Sequence, residues 1–193
     1  SGSHRSKIDL ACSLGVMGVL GPEFLTSFSQ CHPDIEVAYW EAADGLCEDS
    51  LRRETSDLGL IVSPAAPGMS VRELYRCPIY FWIDRANPLA GKDALDIEDL
   101  AGQDIAIPGE GFKCLERLRA AAGCHGVTLG RIFEMSEIFQ LYEFAASGRG
   151  LGFTVRHLVQ LPTFSRLDSV VAVPTRAVRW GFGIECVATH ALG

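Results

Sequence analysis

The chain has 193 residues, which corresponds to between one and two domains at about 150 residues each. Its 17 basic and 24 acidic residues give a net charge of −7, which argues against direct contact with a nucleic-acid backbone. The longest uncharged stretches, residues 10–22 and 58–71, are shorter than the roughly 20 apolar residues of a membrane-spanning helix. Residues 1–7 have no apolar core and are interpreted as a tag or linker remnant, not an export signal. The sequence therefore predicts a globular domain without membrane contact, and its last residues suggest a truncated C-terminus.

The cysteines are not arranged as a metal site or a disulfide framework. There are seven of them, an odd number, and no pair has the spacing Cys-x-x-Cys that zinc sites commonly use. Most lie among apolar residues, where a thiol behaves as a small hydrophobic side chain. The sequence favours buried thiols in a reducing compartment, the cytoplasm, with no metal and no cofactor.

The first part of the chain alternates between strand and helix patterns. A helix with Phe24, Leu25 and Phe28 on one face follows the first strand, and Pro22 is tolerated in its first turn. Asp44 is predicted to cap a second helix that ends at residue 53. The predicted strands are residues 8–12, 35–40 and 58–62. This order is typical of a parallel α/β unit.

The second part of the chain repeats the α/β pattern after a crossing segment. Residues 63–70 form a Pro/Gly loop, and residues 72–84 are predicted to be mostly extended. Predicted strands follow at residues 104–107, 128–133, 151–153, 169–173 and 180–187. Predicted helices lie near residues 97–100, 112–122, 136–146 and 155–159. Two α/β units joined by extended crossings are the layout of a two-lobed binding protein.

Five motifs then occur in a characteristic order. They are residues 8–37, with Ser13, the segment LGPEFL and the segment HPDIEV, then 56–62 (SDLGLIV), 87–90 (NPLA), 97–109 (IEDLAG and IAIPG) and 145–153 (AASGRGLGF). Their order and spacing resemble the effector-binding domain of LysR-type transcriptional regulators over residues 8–187. The N-terminal winged helix-turn-helix of that family is absent from this chain.

The resemblance implies an α/β fold with two Rossmann-like lobes joined by crossover strands, of the type 2 periplasmic-binding-protein-like class. Lobe I would be residues 7–80 plus 175–193, and lobe II residues 81–174. It also implies a small-molecule effector in the interlobe cleft and a homodimer or homotetramer whose geometry changes on binding. DNA would be contacted only through the missing N-terminal domain.

Candidate effector contacts in lobe I lie in loops after the parallel strands, where helix N-termini favour anions. Ser13 resembles the effector-contacting hydroxyl of the family, and the alternative is that it caps the first helix. Ala42 stands where a polar residue is common, so this wall is unusually apolar. The predicted contacts in lobe I are Ser13, Leu14, Gly15, Ala43 and Ser63.

Candidate effector contacts in lobe II surround the start of a predicted helix. Glycines permit close backbone approach to a ligand, and an aromatic ring offers an apolar wall, although both also occur in ordinary loops. The predicted contacts are Gly109, Glu110, Gly111, Phe112, Ser136 and Thr154. Three carboxylates near this site, Glu110, Glu134 and Glu137, favour an amine-bearing or neutral effector. Two basic residues, Lys113 and Arg156, favour an anion, so the sign of the effector's charge stays open.

Two other functions remain as alternatives. A solute-binding protein of a transporter shares the implied fold, but the cysteines and the missing export signal count against it. An enzyme on the same scaffold lacks any support, because no nucleophile, phosphate-binding or dinucleotide motif occurs. His157 is interpreted as structural or solvent-facing, and a reactive cleft thiol at Cys12 is an unfavoured possibility.

Overall fold

The computed structural model describes residues 6–21, 23–176 and 182–191. The strands are β1 (Ser6–Ser13), β2 (Ile35–Ala42), β3 (Leu58–Val62), β4 (Ser70–Cys77), β5 (Ile79–Asp84), β6 (Ile105–Ile107), β7 (Ile132–Glu134), β8 (Leu151–Val155), β9 (Val170–Pro174) and β10 (Phe182–Ala188). The α-helices are α1 (Val16–Leu20), α2 (Glu23–Cys31), α3 (Asp44–Arg52), α4 (Lys113–Cys124), α5 (Ile138–Ala146), α6 (Arg156–Val159) and α7 (Pro162–Ser165). The described residues divide into two compact units, one within residues 1–76 and 183–193 and one within residues 77–182.

The first unit is built on a mixed sheet with the strand order β2-β1-β3-β10-β4. β1 pairs in parallel with β2, from Ser6 opposite Ile35 to Ser13 opposite Ala42. β3 is also parallel to β1, whereas β10 runs antiparallel to β3. The carboxyl ends of β1, β2 and β3 therefore meet at one edge of this sheet, where ligands of open α/β sheets bind.

The second unit has its own mixed sheet, with the order β7-β6-β8-β5-β9. β6 is the central parallel strand, pairing with β7 on one side and β8 on the other. β5 pairs antiparallel with both β8 and β9. The carboxyl ends of β6, β7 and β8 form the corresponding edge of the second sheet.

Each sheet is covered by apolar side chains. In the first unit, one cluster comprises Leu10, Cys12, Val16, Leu60 and Ile184, and a second comprises Ala11, Cys47, Leu51, Ile61 and Val187. The second unit has an aromatic cluster in which the rings of Trp82 and Tyr142 meet edge to face with centroids 5.4 Å apart. Burying a large apolar side chain contributes about 1.5–3 kcal/mol, so these clusters hold each sheet to its helices.

Several predicted elements differ from the structure. The first predicted helix is divided into α1 and α2, because Gly21 adopts a φ of 76° at the end of α1; Pro22 lies outside the described residues. The strand predicted at residues 128–133 is reduced to β7, with Leu129 in an isolated bridge to Ala101. The predicted extended segment 72–84 is two strands, β4 and β5, in different sheets.

Helical boundaries differ as well. The helix predicted from residue 136 begins at Ile138, and the one predicted from residue 112 begins at Lys113. Residues Ile97–Leu100 are a 3-10 turn, and a second 3-10 turn, Pro88–Gly91, follows β5, where no helix was predicted. Trp180, the predicted start of the last strand, lies outside the described residues.

Candidate functional site

The first candidate site lies at the carboxyl edge of the first sheet and contains a buried carboxylate. The Ser13 hydroxyl donates a hydrogen bond of 2.5 Å to Asp44 Oδ1. The Val62 backbone N–H donates to the same oxygen at 3.2 Å. Ser13 and Asp44 are 1% and 2% exposed, so these two bonds join the ends of β1 and β3 to the first turn of α3 beneath the surface.

The Ser13 side chain bonds to Asp44 and not to the start of α1, where the helix-cap alternative would place its partner. α1 begins after Gly15, which has a φ of 83°, and no side chain caps it. The capping alternative is therefore wrong. Leu14 is 40% exposed beside Ser13, and its N–H donates to Ala42 O at 2.9 Å. The hydroxyl proton of Ser13 is used within the protein, so an effector at this hydroxyl would have to donate to it.

Asp44 does not cap α3 as predicted. Ala43 occupies the N-cap position with an extended backbone and no side-chain bond to the helix, and its carbonyl accepts from Leu46 N and Cys47 N. Asp44 is the first helical residue, and its side chain turns back to Ser13. Its role was missed because an acidic residue at a helix start is ordinarily a cap. The sequence did contain a signal for this role. The two alanines before Asp44 leave the end of β2 without another polar side chain.

The Ser63 loop is held in place by two carboxylates of the first unit. Glu48 of α3 accepts from Ala66 N at 2.9 Å, and Glu185 of β10 accepts from Ala65 N at 2.9 Å. Glu48 is only 6% exposed. Ser63 directly follows β3, so the predicted contacts Ser13, Ala43 and Ser63 lie on three neighbouring elements at one edge of the sheet.

The second candidate site lies where β6 passes into α4. Gly109 and Glu134 are packed closely, because a Cβ on Gly109 would lie 2.8 Å from Glu134 Cβ. Glu134 Oε2 accepts from Glu110 N at 3.1 Å. Gly111 has a φ of 84°, and Phe112 is the half-buried N-cap residue of α4 without a side-chain cap bond. The glycines of this loop thus serve a close approach and a left-handed turn within the protein itself.

Thr154 is the most unusual of the predicted contacts. It is 1% exposed, and its hydroxyl oxygen is buried. Within the part of the chain that the structure describes, this oxygen has no hydrogen-bond partner. It lies on β8 opposite Tyr80. Ser136, by contrast, is exposed in the turn between β7 and α5.

The position of Thr154 relative to α5 follows from the sheet. A Cβ on Gly152 would collide with the carbonyl oxygen of Leu141, so Gly152 faces α5. Side chains alternate along a strand, so Thr154 faces the same side. β7 and β8 both run parallel to β6, and α5 between them therefore runs antiparallel to β8. Two residues beyond Gly152, Thr154 lies beside the N-terminal end of α5, whose N-cap Glu137 makes no side-chain cap bond.

A reactive thiol at Cys12 is not what the structure shows. Cys12 is fully buried, and burial, followed by the proximity of Cys47 and Glu41, raises the pKa of its thiol to about 12. Within the described ranges no group of three or more metal-ligating side chains occurs, and no helix there is long and apolar enough to cross a membrane.

A protein-family comparison decides the family. The model described as the LysR substrate binding domain matches residues 1–188. The chain belongs to the LysR substrate-binding domain family. This confirms the resemblance seen in the five motifs and favours a regulatory domain over a solute-binding protein. No curated protein matches the sequence.

Solved structures of LysR-family domains have the same fold. The reduced regulatory domain of OxyR from Pseudomonas aeruginosa is 16% identical with a TM-score of 0.77, over 97% of this chain and 90% of that one. The CcmR regulatory domain from Synechocystis PCC6803, in complex with 2-PG, is 17% identical with a TM-score of 0.82, over 95% and 87%. The effector-binding domain of QuiR in complex with shikimate is 15% identical with a TM-score of 0.81, over 98% and 90%.

These likenesses confirm the predicted fold class, the type 2 periplasmic-binding-protein-like arrangement of two α/β units. A full-length OxyR C199D from Pseudomonas aeruginosa is longer: this chain covers 61% of it. The family is an effector-binding part of transcriptional regulators and not a family of enzymes.

Proposed function

We propose that this chain is the sensing domain of a cytoplasmic LysR-type regulator, which binds a small-molecule effector and passes the signal on through a homodimer or homotetramer. DNA contact belongs to a winged helix-turn-helix domain outside this chain. Family membership supports the regulatory role, and two similar domains are solved with 2-PG and with shikimate. The proposed contacts are the predicted ones: Ser13, Leu14, Gly15, Ala43, Ser63, Gly109, Glu110, Gly111, Phe112, Ser136 and Thr154.

The observation that carries this proposal is the Thr154 hydroxyl. A buried hydroxyl without a partner costs the protein about 1–3 kcal/mol, and such groups call for an explanation because nearly all buried polar atoms are paired. Thr154 lies at the carboxyl end of a parallel strand and beside a helix N-terminus, where ligands of α/β folds bind. An effector that pairs with this hydroxyl removes the cost.

The test compares two threonines of the second unit. Thr154→Val removes the unpaired hydroxyl with little change in shape, and Thr128→Val is the control on an exposed side chain. Without effector, Thr154→Val should unfold at higher denaturant concentration than the wild type, because the unpaired group is gone.

The affinity of Thr154→Val for the effector should fall, although its stability without effector should rise. A thermal-shift screen of metabolites identifies an effector, and titration calorimetry measures its affinity. Thr154→Val should weaken binding by about 1 kcal/mol for a neutral partner and by up to about 3 kcal/mol for a charged one, while Thr128→Val leaves it unchanged. Unchanged affinity in Thr154→Val would place the effector elsewhere.

A further inference from the structure

The polar side chains at the carboxyl edge of the first sheet are bonded within the protein. The Ser13 hydroxyl donates to Asp44 Oδ1, and the Val62 N–H donates to the same oxygen. A hydroxyl has a single proton to donate, so the proton of Ser13 is already used. Both side chains of this pair are buried, so neither presents a polar surface to an effector.

Backbone donors around this pair are used in the same way. The Leu14 N–H donates to Ala42 O at 2.9 Å. In the loop after β3, the Ala65 N–H donates to Glu185 at 2.9 Å, and the next N–H along the chain donates to Glu48 at the same distance. Backbone N–H groups at the ends of strands and the starts of helices often bind anionic ligands. Here these three N–H groups are bonded to oxygens of the protein itself.

The side chains that follow β1 and β2 at this edge are apolar and can be reached from solvent. Leu14, directly after β1, is 40% exposed, and the Cβ position of Gly15 has no heavy atom within 4 Å. β2 ends at Ala42, which is half-buried, as is Ala43. Pro64, in the loop after β3, is exposed. A charged group at this surface would lose water without a partner to replace it, whereas a hydrocarbon group gains free energy by leaving water.

We infer that the first unit receives an apolar part of the effector, a hydrocarbon chain or ring, and that Leu14 is the specificity-determining contact there. The inference rests on the proposed function and narrows its contacts in the first unit. Ser13 acts as a positioning residue, because its bond to Asp44 fixes the end of β1, from which Leu14 projects. A charged group on the same effector is then bound by other residues.

The first experiment maps small probes on the full chain, with its leucine methyl groups labelled for NMR. The apolar probes are cyclohexanol and para-fluorobenzyl alcohol, and the charged probes are acetate and methylammonium. The methyl signals of Leu14, assigned from the spectrum of Leu14→Ala, should shift saturably with both alcohols and not with the two ions. Leu74 is the internal control: it is 47% exposed on β4, away from the ends of β1 and β2, and its signals should not shift saturably.

Variants of Leu14 then test whether this side chain carries the contact. The fluorine signal of para-fluorobenzyl alcohol measures its affinity for each variant. Leu14→Ala should bind the alcohol roughly five- to tenfold more weakly, because apolar contact area is lost. Leu14→Met, which keeps a long apolar side chain, should restore the affinity, and Leu74→Ala should leave it unchanged. Circular dichroism checks that each variant is folded.

The outcomes distinguish this inference from the proposed function. Leu14 signals that do not shift with the alcohols, or that shift equally with the ions, overturn the inference, and so does wild-type affinity in Leu14→Ala. An effector from the metabolite screen that has no apolar part also overturns it and leaves a sensing domain of another specificity. The proposed function is decided separately, by the broad metabolite screen and by Thr154→Val.

Discussion

Gly152 shows how little space separates the sheet of the second unit from its helix. A Cβ at this position would collide with the backbone carbonyl of Leu141 and lie 3.4 Å from Ala145 Cβ. A backbone atom cannot rotate away as the end of a side chain can. β8 and α5 are therefore held at a distance that only glycine permits, and Thr154 owes its position beside the start of α5 to this approach.

We expect Gly152→Ala to destabilise the protein by about 1–3 kcal/mol or more, because it overpacks this contact. Gly123→Ala is the matched control, since Gly123 lies in α4 with no heavy atom within 4 Å of its Cβ position. It should stabilise the protein by up to about 1 kcal/mol through helix propensity. Urea unfolding curves measure both. A Gly152→Ala variant with wild-type stability would show that the sheet and helix can separate at no cost.

The structure also predicts that the Cys12 thiol is unreactive in the native protein. Burial raises the pKa of its thiol from 9.0 to about 12. In the native protein Cys31 and Cys124, both exposed, should react with iodoacetamide at pH 8, while Cys12 stays unmodified in the peptide mass spectrum. Modification of Cys12 at the same rate as Cys31 would contradict the burial.

The same pKa shift gives a pH dependence with a definite sign. Between pH 9.0 and about 12 the unfolded chain has lost the Cys12 proton, whereas the folded chain keeps it. Stability therefore falls as the pH rises through this range, because the unfolded state binds fewer protons there. A Cys12→Ala variant should show a shallower decline above pH 9.0 when unfolding is followed by circular dichroism.

At the residue scale, sequence reasoning placed the candidate groups better than it predicted their partners. Ser13 was selected because it resembles the effector-contacting hydroxyl of the family, and Thr154 because it is a hydroxyl at the end of a loop. Both directly follow predicted strands, and in the structure both lie at the ends of strands. That Ser13 donates to Asp44 depends on the pairing of β1 with β2 and β3, which brings together residues 31 apart in the chain. A pattern within a short window contains no information about such a contact.

At the scale of elements, continuous apolar runs were predictable, and segments without such a run were predicted less well. β3 and β6 are continuous apolar runs and were found close to their observed bounds. β7 has only three residues, and its pairing with β6, rather than its sequence, makes it a strand. α7, with four residues from Pro162 to Ser165, was not predicted, because a single turn has no periodicity to detect.

The division of the first predicted helix illustrates a different limit. Phe24, Leu25 and Phe28 do lie on a helix, α2, as the spacing predicted. Gly21 turns the chain before it with a φ of 76°, and the apolar residues of α1 and α2 therefore do not form one continuous stripe. A glycine in an apolar segment is compatible with either outcome, and the tertiary packing of α1 on β1 decides between them.

At the scale of the whole molecule, the two α/β units followed from the alternation of predicted strands and helices, whereas the family resemblance followed from the order of five motifs and not from any single one. Each motif is weak by itself, but a LysR family model matches residues 1–188. The predicted lobe boundaries, 7–80 plus 175–193 and 81–174, stay a prediction. What the sequence could not provide is the pairing of β5 with β8 and β9, since antiparallel closure of a sheet depends on contacts distant in the chain.

The first unit leaves an apolar helix face only partly covered within the described chain. α2 carries Phe24, Leu25 and Phe28, yet none of its residues is buried. Between α2 and β2 lies a groove of about 440 Å³. It is lined by Leu25, Thr26, Phe28, Ser29, Gln30, Pro33, Ile35, Glu36 and Val37. Exposed apolar surface of this kind is typical of a protein–protein contact.

The family resemblance predicts that this face of α2 packs against α4 of a neighbouring copy, head to tail, in a closed dimer. We expect the wild-type chain to sediment as a dimer or larger species at tens of micromolar. Phe24→Glu, which places a charge on the α2 face, should shift it to the monomer, because a buried unpaired charge is strongly unfavourable. Leu74→Glu is the control: Leu74 is 47% exposed on the edge strand β4, and its replacement should leave the sedimentation coefficient unchanged. A wild-type monomer, or a Phe24→Glu variant that remains dimeric, would contradict the predicted interface.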